Sequence, residues 1–533
     1  MKIDIYKKIF LTNFPRIISC CNRNPYSSSF GCFDRNFWHY KTLDFASARL
    51  QEGVLSLALV YTDPETEFFK KREVREWIRG ALSFWLKIQT GSGSFNEWYP
   101  RERSFVATAF SSYAVSETLL LLGDLEEKER VVAGLRKAGD WLLGKRETRA
   151  FNQNAGALAA LYNIFLLTGE EKYQKECWAL VDFLKERQSS EGWFTEYGGA
   201  DIGYLSVSLD YAAKYYLKSK DERVLPILKK GLGFLSYFLH PDGTAGGIYG
   251  SRNTAYIIPS GIEILAGFLP LAQKMSSVLR DSLQNNQIIS PGTLDERYLI
   301  QNGYTYLEAS RQLKERGPIE ERKVVLPAFS FEDKHFPEAG LWIKSTPHFY
   351  CIVNYRKGGV AYIYHRAEKK GIYYGGLLVK KGRKTYTSSY SSKENQISFS
   401  SGGKTICVRG RLKKMLDFQP APWRFVALRL LLGLSGFFPR SAVFLKSVLR
   451  RLLVSSKTAS PFYFERIITL NENILIKDRF PSGVFHQGQA GGISELTYTP
   501  SSRYFNTNLI FSPARPLKKE ELLKGEAAQE YAT

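Results

Sequence analysis

At 533 residues the chain is too long for one ordinary core, and two large domains are expected. Its 44% hydrophobic and 24% charged residues are those of an ordinary globular protein. The net charge of +22, from 74 Lys and Arg against 52 Asp and Glu, favours a polyanionic partner. With no zinc-finger spacing, RNA-recognition signature or basic arm, nucleic acid is set aside, which leaves an acidic polysaccharide or an anionic membrane.

Residues 1–43 read as an N-terminal extension. Their short apolar run is broken by Asn13 and Pro15. Neither a signal peptide nor an uncharged span of about 18 residues is recognised, so a cytoplasmic place, or a peripheral one on the inner membrane face, is expected. The six Cys, at 20, 21, 32, 177, 351 and 407, lack C-x-x-C spacing and read as reduced packing residues. The six His stand apart, so no metal and no cofactor is expected.

From 44 to 285 the chain reads as helix after helix. DFASARLQEGVLSLALVY, EVREWIRGALSFWLKIQ and YQKECWALVDFLKER place apolar residues at i, i+3, i+4 and i+7. Four helices end on an aromatic–Leu pair, at Trp85, Trp141, Phe183 and Phe234, which recurs about every 50 residues. Gly-containing loops follow three of them, at 91–98, 189–197 and 241–249, and a polar loop at 144–154 follows the fourth. A Gly turn after every second helix describes stacked helical hairpins closing into an (α/α) toroid. Its special loops then gather at one rim, the place to look for a site.

Residues 286–325, with Pro291, Gly292 and Pro318, read as a connection. From 326 to 515 the period changes to short strands rich in β-branched and aromatic residues, as in HFYCIVNYRKGGVAYIYHR, and an antiparallel β-sandwich is expected. Residues 421–454 interrupt it as a basic amphipathic helical insertion. Between 411 and 457 ten Lys and Arg face one acid, Asp417, a local charge of +9. Trp423, Arg424, Leu430, Leu431, Phe437, Phe438, Arg450 and Arg451 are the expected contacts with an anionic membrane surface. The competing reading packs the Leu face on the sandwich. Residues 516–533 read as a charged tail. Oligomeric state is left open.

A toroid followed by a sandwich resembles the heparinase II/III-like polysaccharide lyases and their epimerase relatives, especially those encoded with exopolysaccharide genes. The resemblance is carried by GWFTEYGGADIGYLSVSLDYAAKYY (192–216), FNQNAGALAALYNIFLLTGEEKY (151–173) and FPEAGLWIKSTPHFYCIVNYRKGGV (336–360). The Gly-His-x-His-like strand motif of that family is missing here, and with it the structural zinc that some members hold.

The resemblance implies β-elimination across a uronate in an acidic polysaccharide. A carboxylate neutraliser, a base for the C5 proton and an acid for the leaving O4 are then required. Tyr204 matches the family's Tyr and would be base, acid or both. Asn152 or Asn154 would neutralise the carboxylate, Arg252 would grip it bidentately, and His365 or His348 would close the site. Glu97, Trp98, Trp193, Glu196, Asp201, Tyr249 and Asn253 on the repeat loops would bind substrate. Two other readings stay open: a hydrolase using paired carboxylates among Glu97, Glu196 and Asp201, and a non-catalytic, membrane-associated glycan-binding or assembly protein of exopolysaccharide synthesis.

Overall fold

The computed structural model describes residues 3–34, 46–317, 323–400, 404–415, 421–435, 448, 459–471, 474–491 and 514–531. Helices run in the order α1 (Ile5–Cys20), α2 (Gly53–Tyr61), α3 (Arg72–Lys87), α4 (Phe105–Leu122), α5 (Lys128–Leu142), α6 (Asn152–Thr168), α7 (Glu171–Arg187), α8 (Ile202–Ser219), α9 (Leu225–Leu235), α10 (Pro259–Ala266), α11 (Pro270–Gln284), α12 (Glu296–Asn302) and α13 (Tyr304–Arg316). Helices α2, α4, α6, α8, α10 and α13 pack each on the next, and α13 returns to α2, so the toroid closes. Helices α3, α5, α7, α9 and α11 lie outside this ring, each against its inner partner.

The inner helices are covered all round, and their sequences show why they can be. In α4 every residue from Ala107 to Ser116 is buried, and the small residues Ala107, Ala109, Ser111, Ser112 and Ala114 let neighbours approach. Gly156 of α6 meets the Phe110 ring so closely that a Cβ there would lie 1.8 Å from it. Among the described residues α4 is the one helix long and apolar enough to cross a membrane, and 67% of it is buried in this ring. In the aromatic–Leu register Trp85 and Phe234 are buried and Trp141 and Phe183 half-buried, and Trp85 Nε1 donates to Ser111 Oγ at 3.0 Å.

The helical part is longer than the 44–285 of the repeat. Helix α1 supplies the outer partner of α13. Tyr6, Phe10, Phe14 and Ile17 form its fully buried stripe, Pro15 notwithstanding. Tyr6 donates to Glu263 of α10 at 2.7 Å, and Asp4 accepts from Ser310 of α13 at 2.6 Å. Residues 296–316, expected in a connection, form α12 and the last inner helix.

The second half holds two antiparallel sheets. The first runs β1 (Lys334–Phe336), β2 (Leu341–Ser345), β3 (Phe349–Asn354), β4 (Val360–His365) and β5 (Lys370–Tyr374) in spatial order. The second is built from β6 (Leu378–Lys381), β7 (Lys384–Thr387), β8 (Gln396–Phe399), β9 (Thr405–Lys414), β10 (Ala459–Leu470), β11 (Ile474–Arg479), β12 (Gln487–Gly491), β13 (Ala514–Pro516) and β14 (Glu526–Tyr531). The first sheet is a middle layer. Tyr350, Ile352 and Tyr362 face the toroid core, while Cys351, Val353 and Ile363 face the second sheet. Burial on both faces explains the unbroken apolar run of β3. The expected charged tail instead adds β14 to the edge beside β11, after a short helix α15 (Lys519–Lys524). The interrupting helix of the insertion is α14 (Pro422–Ser435).

The toroid meets the first sheet around His240, which is fully buried and stacks on Tyr362 with ring centroids 3.7 Å apart. Thr244 donates to Asp242 at 2.6 Å, so it accepts from His240 Nδ1 at 2.8 Å. His240 Nε2 then accepts from the Tyr249 hydroxyl at 2.7 Å. Burial of this satisfied neutral ring pushes the His240 pKa down from 6.5 to about 4. The unfolded chain therefore takes up the proton first, so the stabilisation is complete above about pH 6.5 and is lost as pH falls towards about 4. We expect wild type to lose about 3 kcal/mol more than His240→Gln across that window. Urea unfolding of both proteins at several pH values checks it; parallel curves would contradict it.

Candidate active site

A cleft of about 480 Å³ opens at the rim of the toroid where the repeat loops gather. Glu97 and Trp98 come from the loop after α3, Asn152 from the start of α6, Tyr197 and Tyr204 from the loop and first turn around α8, and Arg252 from the loop before α10. Four separate segments of the expected site therefore share one wall. Tyr211, Tyr256, Tyr298 and Tyr304 extend it with aromatic surface.

Helix α8 begins where it does because Asp201 caps it. Asp201 Oδ1 accepts from the Tyr204 backbone at 3.3 Å, and Oδ2 accepts from the Arg252 backbone at 2.8 Å. One buried carboxylate thus fixes both Tyr204 and Arg252. Gly203 permits the contact: a Cβ there would lie 2.5 Å from Thr254 Oγ1. Arg252 and Tyr204 line the cleft together, and the Arg252 guanidinium lies 4.3 Å over the Tyr197 ring. Burial opposes the charge on Arg252, but Tyr204, Tyr197 and Asp201 together hold its pKa above the usual value. Tyr197 and Asn253 adopt left-handed backbone, φ +53° and +58°, so strain is stored in both loops that carry this pair.

Asn152 is oriented by Glu196, which accepts from its backbone at 2.8 Å and from its Nδ2 at 3.2 Å. The second Nδ2 proton remains to serve the cleft. Glu196 is fully buried, and that burial drives its pKa well above the carboxylate range. Arg49 joins from the segment before α2, beside Glu52 at 2.7 Å and 4.3 Å over Phe110. Burial pushes Glu52 up to about 8, against the pull of Arg49.

Several expected site residues stand elsewhere. Asn154 points away and ties the preceding loop, donating to Glu147 O at 2.8 Å and accepting from Glu147 N at 3.0 Å. Glu196 and Asp201 are 0% and 1% exposed and act on Asn152 and α8 rather than lining the cleft. Tyr249 is buried against His240. Trp193 donates to Glu191 at 2.9 Å, and Glu191 in turn accepts from Glu338 and Ala339 backbone at the domain junction. Asn253 accepts from Lys357 of the first sheet. His365 is buried in β4 and does not line the cleft, and His348 lies exposed at the start of β3. The second half reaches the cleft through Leu428 and Leu432 of α14 instead.

Glu97 lines the cleft but is paired with Arg297 at 2.8 Å, and Arg297 stacks 4.2 Å over Trp98. Arg49, Tyr197, Tyr256, Tyr298 and Tyr304 were not singled out from sequence. Arg49 and Tyr298 flank helices whose place at the rim depends on ring closure. Among the described residues no group of three or more His, Cys, Asp or Glu is placed to hold a metal ion.

Residues 47–312 match the family model of the Ulvan lyase N-terminal domain. Among solved structures, chondroitin AC lyase of Streptomyces coelicolor A3 superposes with a TM-score of 0.53 at 10% identity, covering 91% of this chain and 68% of that one. Heparinase III gives 0.46 at 11% identity, covering 93% and 77%. No curated protein matches the chain. The helical domain described above thus resembles the Ulvan lyase N-terminal domain over residues 47–312, and toroid and sandwich together share the fold of chondroitin AC lyase.

Proposed function

We propose that the chain is a polysaccharide lyase that cleaves a uronate-containing polymer by β-elimination. The observation that carries this reading is the meeting of Tyr204, Arg252 and Asn152, from three repeats, in one aromatic cleft. Arg252 and Asn152 hold the uronate carboxylate, and their hydrogen bonds strengthen as charge moves onto it. Tyr204, as phenolate beside the Arg252 guanidinium, takes the C5 proton. The electron pair forms the C4–C5 double bond, the C4–O4 bond breaks, and Tyr204 returns the proton to O4. A guanidinium next to a phenol favours its phenolate form, and Arg252 is the cation that lines the cleft with Tyr204. The names of the similar proteins favour an ulvan-, chondroitin- or heparin-like polymer as substrate.

Hydrolysis needs two carboxylates across the scissile bond. Of the three considered, Glu196 and Asp201 lie beneath the cleft wall and Glu97 is ion-paired, which weighs against that reading. The test is incubation with ulvan, chondroitin and heparin, following ultraviolet absorbance and reducing ends together. Absorbance rising with new ends supports elimination. New ends alone mean hydrolysis, and binding without either means a non-catalytic protein.

Lys357 offers a check on how the site is held. Its buried Nζ donates to Ile248 O and Gly250 O, both at 2.6 Å, and to Asn253, gripping the Arg252 loop from the first sheet. Lys357→Met is expected to lower kcat about tenfold while leaving KM nearly unchanged, with Lys357→Arg recovering part of the loss. Steady-state kinetics decide it: an unchanged kcat would show that the loop holds itself.

A further inference from the structure

Helix α14 has two opposite faces. At 100° per residue, Leu428 and Leu432 share one side, and both line the cleft. Arg101 donates to the Gly433 carbonyl at 3.2 Å and ties the helix to the toroid rim. Trp423, Val426, Leu430, Leu431 and Leu434 occupy the other side, over an arc of roughly 140°. They are 67%, 60%, 62%, 55% and 68% exposed. Arg424 lies about 20° beyond one border of that arc and Arg429 about 60° beyond the other, Phe425, 52% exposed, lies outside both, and the helix contains no acid.

We infer that this arc is a membrane-docking face whose partner is an anionic bilayer surface. A helix that sets Trp and Leu between two arginines fits the headgroup boundary, where the rings and aliphatic groups enter the acyl edge and guanidinium groups stay with the lipid phosphates. The +9 balance of residues 411–457 and the +22 of the whole chain supply the long-range attraction. Charge is what selects a bilayer over an apolar protein partner here: an arginine stands beyond each border of the apolar arc. Because the opposite side of the same helix roofs the cleft, docking sets the cleft mouth at the lipid surface. The polymer it receives is then one displayed at a membrane. This inference does not depend on the chemistry proposed for Tyr204.

The test is sedimentation of the full chain with vesicles of phosphatidylcholine alone or mixed with phosphatidylglycerol. Wild type is expected to pellet with the anionic vesicles and not with the neutral ones. The double variant Leu430→Glu, Leu431→Glu, altered on exposed positions outside the cleft, is expected to lower the bound fraction about tenfold or more, with an unchanged melting curve. If that variant misfolds, Trp423→Phe serves: it should remove the blue shift of Trp fluorescence that vesicles induce in wild type. Failure of wild type to pellet with anionic vesicles, equal pelleting with neutral ones, or a variant that pellets like wild type overturns the inference. So does a wild-type dimer that the double variant converts to monomer without any vesicle binding.

Discussion

Tyr204→Phe is expected to lower kcat on a uronate polymer by about 10³-fold while changing KM less than about threefold. Phe keeps the ring in the cleft and removes one oxygen. The backbone of residue 204 stays capped by Asp201, so α8 should begin where it does now. Arg252 would keep its stack on Tyr197. The change therefore separates proton transfer from binding, and steady-state kinetics with a melting curve measure both. A variant that retains most of the turnover would remove Tyr204 from the chemistry. Asn152→Ala should instead act on carboxylate neutralisation, and it also leaves the buried Glu196 without a side-chain partner, so its effect mixes catalysis and stability.

The largest expected effect on stability lies in the sandwich. Arg466 and Asp478 stand opposite each other on β10 and β11, 1% and 3% exposed. Two parallel hydrogen bonds of 2.7 Å join them, and the guanidinium also donates to Gly375 O at 2.5 Å, just after β5, and to Gly359 O at 3.3 Å, in the β3–β4 turn. This one side chain ties the two sheets together. Asp478→Ala leaves a buried guanidinium without its counter-charge and is expected to destabilise by about 3–5 kcal/mol. The double variant Arg466→Met, Asp478→Leu removes both charges and should be far milder. Urea unfolding of the three proteins gives the answer; equal stability of Asp478→Ala and wild type would mean that water reaches the pair.

Local periodicity made the toroid legible. Trp85, Trp141, Phe183 and Phe234 mark successive outer helices, and amphipathic spacing survives wherever a helix has one wet face. Helix α1 escaped because its partners are remote: Asp4 bonds Ser310, 306 residues away, and no neighbouring repeat announces it. The first sheet read correctly as strands, but its place between toroid and second sheet follows only from which alternate residues meet which core.

The site was half legible for a similar reason. Asn152 and Asn154 lie about 200° apart on a helix, so only one can face the cleft. Sequence offers no means of choosing, and the turn at Glu147 takes Asn154. Glu196 and Asp201 were recognised as rim acids, yet their first task is to hold Asn152 and Tyr204 from beneath. The insertion was read as basic and amphipathic. Trp423, Arg424, Leu430 and Leu431 fall on α14, whereas Phe437, Phe438, Arg450 and Arg451 lie outside the described residues. Its contribution of Leu428 and Leu432 to the cleft could not be read, because it depends on how the second half docks over the rim.

The most direct measurement of the central claim is mass spectrometry of the cleavage products made in heavy-oxygen water. Elimination through Tyr204 forms a double bond and takes up no water, so neither new end should gain label at the cut, and the unsaturated end should be lighter than its hydrolytic counterpart by one water. Products that carry one labelled oxygen at each cut would contradict the account.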